Sequence, residues 1–109
     1  MAFVPQKTSG EASVQVVQAA PDRLTVSGPL TFETAKQAYE AGLRVVRSGS
    51  TEPLQVDFAG VTHSDSAGLA VVIDWLAQAA RAGRKLSFAN IPPGIRAAAK
   101  ISDVEFLFA

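Results

Sequence analysis

The succession of segments in this chain predicts an α/β single domain. Its sheet is mixed and mostly parallel, of about five strands after an N-terminal β-hairpin, with helices packed on it. Three observations carry that expectation. β-branched runs alternate with amphipathic stretches in the order β-β-α-β-α-β-α-β, which argues for a largely parallel sheet. A Pro-Asp turn separates the first two runs, which makes them an antiparallel pair. The chain has 109 residues and no Cys, so one unit held by its apolar core, without disulfides, is the natural outcome.

The elements follow in order. Residues 1–12 (MAFVPQKTSGEA) mix Pro, Gly and polar residues and read as a flexible tail, leaving 13–109 as the domain. Val14–Gln18 and Leu24–Ser27 are the hairpin strands around Pro21-Asp22, and Gly28-Pro29 breaks the second. Thr31 is positioned to cap a helix whose apolar positions are Phe32, Ala35, Tyr39, Leu43 and Val46. The pairs Lys36–Glu40 and Glu40–Arg44 mark its solvated face, and Ser48-Gly49-Ser50 ends it. Leu54–Phe58 is a short strand between Pro53 and Gly60. A second helix runs from the Ser64–Ser66 cluster to about Arg81, with Gly83 as its stop. Lys85–Ala89 is a further strand, Gly94–Lys100 a third helix after Pro92-Pro93, and Val104–Phe108 a last strand.

Composition removes several function classes. Ten basic and ten acidic residues give a formal net charge of zero, so the basic footprint of a nucleic-acid binder is missing. No apolar stretch reaches the ~20 residues of a membrane span, and the start lacks the pattern of a signal peptide. The expected setting is cytoplasmic. His63 is the one histidine, and Ser66 lies three positions on from it, a spacing that rarely forms a dyad across a helix start. Asp57, Asp65 and Asp74 match no calcium loop, and no Gly-rich phosphate cradle is present. No enzyme activity, cofactor or metal is expected. Tyr39 lies on an apolar helix stripe and is read as core.

Chemistry concentrates in THSDSAGLAVVIDW, residues 62–75. Ser64, Asp65 and Ser66 are all favoured N-cap residues, and one of them must satisfy the free amides of the helix that follows. Gly68 costs roughly 1 kcal/mol relative to Ala inside a helix, so its presence implies a close approach in the first turn. At 100° per residue, Leu69, Val72, Ile73, Leu76 and Ala80 form the expected core face, with Asp74, Gln78 and Arg81 opposite. Val71, Trp75 and Ala82 fall beside the polar strip as a partly exposed apolar stripe. Joined to the serine-rich cap, that stripe reads as a docking surface of Ser64, Ser66, Ala67, Val71 and Trp75.

The segment VDFAGVTHSDSAGLAVVIDWLAQAARAGRKLSFANIPPGIRAAAKISDV resembles the core of a STAS domain, over nearly the whole chain from about residue 14. Asp57 matches the family's strand Asp. Asp65, Ser66, Gly68 and Leu69 match its Asp-Ser/Thr-x-Gly-Leu pattern in order. Among anti-sigma factor antagonists the residue after that Asp is phosphorylated by a kinase that is itself the anti-sigma factor. The resemblance places that role on Ser66. The same branch often carries a second Ser where this chain has Ala67. SDSAGLAVVIDWLAQAARAGRKL is more similar to the STAS subunit of the Mla phospholipid ABC transport system. That likeness implies a protein partner, the cytoplasmic ATPase subunit of a transporter, with peripheral attachment to the inner membrane through it. The alternative partner is an anti-sigma factor kinase.

Overall fold

The computed structural model describes residues 13–108, so the expected tail over 1–12 lies outside the described residues. Strand β1 (Gln15–Ala20) pairs antiparallel with β2 (Arg23–Leu30) across the Pro21-Asp22 turn. Helix α1 (Ala35–Val46) then leads to β3 (Leu54–Ser64), which lies parallel to β2. Helix α2 (Ser66–Arg81) leads to β4 (Leu86–Ala89), parallel to β3 on its far side. Helix α3 (Pro93–Ile101) and a 3₁₀ turn at Glu105–Phe108 complete the described chain. The sheet order is β1-β2-β3-β4.

Both parallel crossovers advance in the same direction along the sheet, and right-handed crossovers place α1 and α2 on one face. Helix α1 packs on α2, and α2 on α3. Alternate residues of β2 (Leu24, Val26) and β3 (Leu54, Val56, Phe58) are buried, while Thr25, Gln55 and Asp57 between them are half-buried. One sheet face therefore meets the helices, as the period-two pattern requires.

The mixed α/β architecture matches expectation, with four strands rather than five. Val104–Phe108 is not a strand. Asp103 adopts φ 59°, and the Val104 amide donates to the Ala99 carbonyl at 2.8 Å, closing α3 with a reversal of the chain. The apolar run then folds back over β4, where the Phe108 ring meets Phe88 edge-on at 5.5 Å. Val104, Leu107 and Phe108 are half-buried while Phe106 stands exposed, so its hydrophobicity reports partial packing beside β4 and not membership of the sheet.

Strand β3 is longer than Leu54–Phe58. Its register against β2 shifts between Asp57 and Gly60 and again before His63, so bulges carry the strand on to Ser64. At the first bulge, Asp57 Oδ1 accepts from the Ala59 amide at 2.9 Å and from Asn90 Nδ2 at 2.9 Å. The Asn90 bond first, and the Ala59 amide second, hold the Asp57 carboxyl below the usual carboxylate range. The Arg23 charge adds to them, and partial burial opposes. A group whose folded-state pKa is depressed stabilises the fold above its unfolded pKa and loses that contribution as pH falls. Asp57→Asn is therefore expected to flatten the fall of melting temperature on acidification below about pH 4, where free carboxylates begin to protonate. An identical acid profile for variant and wild type would contradict this.

The first helix begins later than its sequence pattern implies. Thr34 Oγ1 donates to the Pro29 carbonyl at 2.8 Å and accepts from the Thr31 amide at 3.0 Å, knotting residues 29–34 into a turn. Helix α1 starts only at Ala35, and Phe32, expected on its apolar face, stands 81% exposed outside it.

Candidate functional site

The junction between β3 and α2 is organised by Asp65. It takes the extended N-cap conformation, and its Oδ1 accepts from the Ala67 amide at 2.9 Å. The other carboxylate oxygen, Oδ2, accepts from the Phe32 amide at 3.2 Å. One side chain thus starts the helix and pins the β2–α1 loop beside it. Of the three N-cap candidates Ser64, Asp65 and Ser66, Asp65 is the one that caps the helix, and neither serine does. Ser66 occupies the first helical position, exposed, with no protein partner for its hydroxyl among the described residues.

Gly68 is explained from within the molecule. A Cβ there would lie 3.0 Å from the Leu30 carbonyl oxygen and 3.2 Å from the Ile95 side chain. The close approach expected at this glycine is made by β2 and α3. Ser64, expected on the docking surface, is half-buried under the start of α3, where a Cβ on Gly94 would run into its carbonyl and hydroxyl oxygens. Ala67 is half-buried as well.

The proposed Val71–Trp75 stripe is overturned. Val71 is buried, and Trp75 is 0% exposed, with Nε1 donating to the Tyr39 carbonyl at 3.1 Å. A Cβ at Gly42 would enter the indole ring, so this glycine opens the surface of α1 to receive it. The reason is lateral packing. Helix α2 lies between α1 and α3 as well as on the sheet, and its buried arc is Gly68, Leu69, Val71, Val72, Trp75 and Ala79. Relative to the face expected from a single packing partner, that arc is rotated by about a quarter turn. Ile73 and Ala80, expected in the core, are exposed instead.

The rotation places a different strip outside. Ser66, Ala70, Ile73 and Ala77 follow one another along the exposed side of α2, with Asp74 and Arg81 beside them. Phe32, tied to Asp65, stands at the Ser66 end of this strip. Of the sequence-predicted site residues, the structure brings Asp65, Ser66 and Gly68 to one junction. Asp57 belongs to the Ala59–Asn90 bulge and takes no part in it. Sequence reasoning missed Phe32 and Ala70. Alanines carry little signal in an apolar pattern, and Phe32 fitted the helical period too well. His63 is exposed, with Nδ1 3.2 Å from Thr62 Oγ1. Among the described residues no cluster of acidic or histidine side chains could hold a metal ion, and no helix is long and apolar enough to cross a membrane.

A fold of this order, with an Asp-capped Ser at the mouth of α2, is that of a STAS domain. The family described as "Mlab, STAS domain" matches residues 14–108, and the chain belongs to it. No curated protein matches the sequence. Among solved structures, the unphosphorylated anti-sigma factor antagonist SpoIIAA superposes with a TM-score of 0.67 at 14% identity, covering 88% of this chain and 85% of that one. The phosphorylated form of SpoIIAA, a Bacillus cell fate determinant, gives 0.64 at 14% identity over 88% of each chain. An anti-sigma-factor antagonist (STAS) domain protein from Planctomyces limnophilus gives 0.67 at 11% identity, over 88% of this chain and 86% of that one. At such identities the likeness establishes the fold.

Proposed function

We propose that this chain is a non-enzymatic accessory subunit that docks on the cytoplasmic ATPase of a phospholipid ABC transporter of the Mla type. There it supports the assembly or activity of a system that maintains outer-membrane lipid asymmetry. The observation that carries the reading is the exposed apolar strip Ala70–Ile73–Ala77, continuous with Ser66 and headed by Phe32. Small side chains along a rigid helix let a partner helix or groove approach closely, and an aromatic at one end supplies an anchor. The family match supports the Mla assignment. In this setting the chain sits in the cytoplasm and reaches the inner membrane only through its partner.

A second reading is favoured by Ser66 itself, whose exposed hydroxyl is unpartnered at the first turn of a helix. In it, the chain is an anti-sigma factor antagonist switched by phosphorylation of Ser66. A phosphate there adds roughly −1.5 to −2 charge. The free amides of the helix start would favour it by ~0.3–1 kcal/mol, and the Asp65 carboxylate beside it opposes by a similar amount. The fold would remain, and the partner surface would change.

Affinity purification from native membranes tests the two. Wild type is expected to retrieve an ABC ATPase together with its permease, identified by mass. Ala70→Glu is expected to lose both while keeping its melting temperature. Retrieval of a soluble kinase abolished by Ser66→Asp would select the second reading. Capture of the ATPase and permease undiminished by Ala70→Glu would exclude the strip as the docking site.

A further inference from the structure

At the opposite end of the molecule, a cleft of about 430 Å³ opens between the C-terminal ends of α1 and α2. It is lined by Arg47, Gly49, Ser50, Gln78, Arg81 and Ala82. Both arginines are exposed, and among the described residues neither guanidinium forms an ion pair or hydrogen bond. Two guanidinium groups facing one cavity without a carboxylate in its wall repel each other until an anion lies between them. Arg44, exposed on the last turn of α1, lines an adjoining hollow with Arg47 and extends the positive surface. Arg23 and Lys85 stand exposed at the same end of the sheet, and no carboxylate, neither Asp22 nor Glu52 nor any other, lines the cleft.

Basic residues at helix C-termini ordinarily serve the helix, by answering its negative end. That task is already filled here. Arg84 is buried, and its guanidinium donates to the carbonyls of Val45 at 2.8 Å, Glu52 at 2.7 Å and Pro21 at 3.2 Å, taking up the end of α1. At the end of α2, the amides of Ala82, Gly83 and Arg84 bond to the carbonyls of Gln78, Ala79 and Ala80. The buried Arg84 charge is met by carbonyl dipoles and by no carboxylate among the described residues, so it adds to the positive potential of this end. Ser50 Oγ accepts from the Glu52 amide at 3.0 Å, which leaves its own proton free to donate. Gly49, at φ 98°, has open space where a side chain would stand.

We propose that this cleft is a binding site for a single phosphate group, gripped by Arg47 and Arg81 with the Ser50 hydroxyl and the Gln78 amide as further donors. The planar fork of each guanidinium suits phosphate oxygens, and the remaining lining, Gly49 and Ala82, is small. The phosphate is either free or carried on a lipid headgroup; the chemistry at the cleft is the same. The site lies away from Ser66 and does not depend on the docking reading above.

Amide NMR of the full chain tests it, with sodium phosphate titrated at constant ionic strength against chloride. Vesicles of phosphatidylcholine, with and without phosphatidylglycerol, form the second arm. Saturable shifts at Gly49, Ser50 and Ala82 with inorganic phosphate would identify the free ion as sufficient. A response confined to the phosphatidylglycerol vesicles would identify the headgroup. In either arm the Arg47→Gln/Arg81→Gln double variant is expected to bind about tenfold or more weakly. Lys36→Gln, at the other end of α1, is expected to bind as wild type does. The proposal is overturned if neither probe gives a saturable local response, or if the double variant binds as tightly as wild type.

Discussion

Trp75→Ala is expected to destabilise the domain by about 3–5 kcal/mol, the range for removing a large aromatic from a packed core. The indole is fully buried, fills the place Gly42 leaves open on α1, and ties α2 to α1 through the Tyr39 carbonyl. Domains of this size are stable by roughly 5–15 kcal/mol, so the loss consumes a large part of the total. It should lower the melting temperature by on the order of 15 °C or more. A double-mutant cycle sharpens the expectation. Gly42→Ala alone overpacks the same contact and is expected to cost about 1–3 kcal/mol, whereas in the Trp75→Ala background the added methyl meets a cavity and costs little. Urea unfolding measures all four corners. A Trp75→Ala variant of wild-type stability would show that the indole is a surface group after all.

Arg84→Met is expected to cost about 3 kcal/mol or more. Its guanidinium is the common donor for three segments that are far apart in sequence: the hairpin turn at Pro21, the end of α1 at Val45 and the loop at Glu52. Removing it takes the side-chain donor from the Glu52 carbonyl. The carbonyls of Val45 and Pro21 are left with only the longer bonds from the Ser48 amide at 3.2 Å and Gln18 Nε2 at 3.5 Å. Hydrogen bonds to charged groups are each worth about 1.5–3 kcal/mol. Methionine keeps much of the buried volume, so the loss reports on the bonds rather than on a cavity. Arg84→Lys is expected to recover little, because one ammonium cannot span three carbonyls set for a planar fork. Hydrogen exchange should quicken first at the β1–β2 turn and in the 48–53 loop. Unfolding within about 0.5 kcal/mol of wild type would mean that water replaces the guanidinium there without loss, as at an ordinary surface substitution.

These two residues also mark where the sequence stops being legible. Period-two runs disclosed β1, β2 and the first half of β3, and Pro21-Asp22 disclosed the hairpin, because strands and turns of this kind are specified by neighbours in the chain. Asp65, Ser66, Gly68 and Gly83 marked both ends of α2 for the same reason. A helical period, however, shows how apolar residues are arranged around an axis and says nothing of which sides have neighbours. Trp75 reads as a flank residue until Gly42, more than thirty positions away, is known to face it. Arg84 in the run Gly-Arg-Lys is indistinguishable from a surface cation until three distant carbonyls converge on it. The apolar run of Val104–Phe108 suggests a strand, and what cancels it is the left-handed turn at Asp103. In each case the missing information is tertiary.

For the proposed docking surface, the consequence is a shift from the Trp75 side of α2 to the side bearing Ser66, Ala70, Ile73 and Ala77. Ile101 and Phe106 form a second exposed apolar area near the described C-terminus, at 85% and 70% exposure, and are the natural competitor. Methyl-resolved NMR of the full chain, titrated with a purified Mla-type ATPase subunit as the proposed partner, separates them most directly. Broadening or shifts are expected at the Ala70 and Ala77 methyls, the Ile73 δ1 methyl and the Phe32 ring, with Ile101 and the Arg47 end unmoved. Unperturbed α2 signals together with changes confined to Ile101 and Phe106 would contradict that expectation.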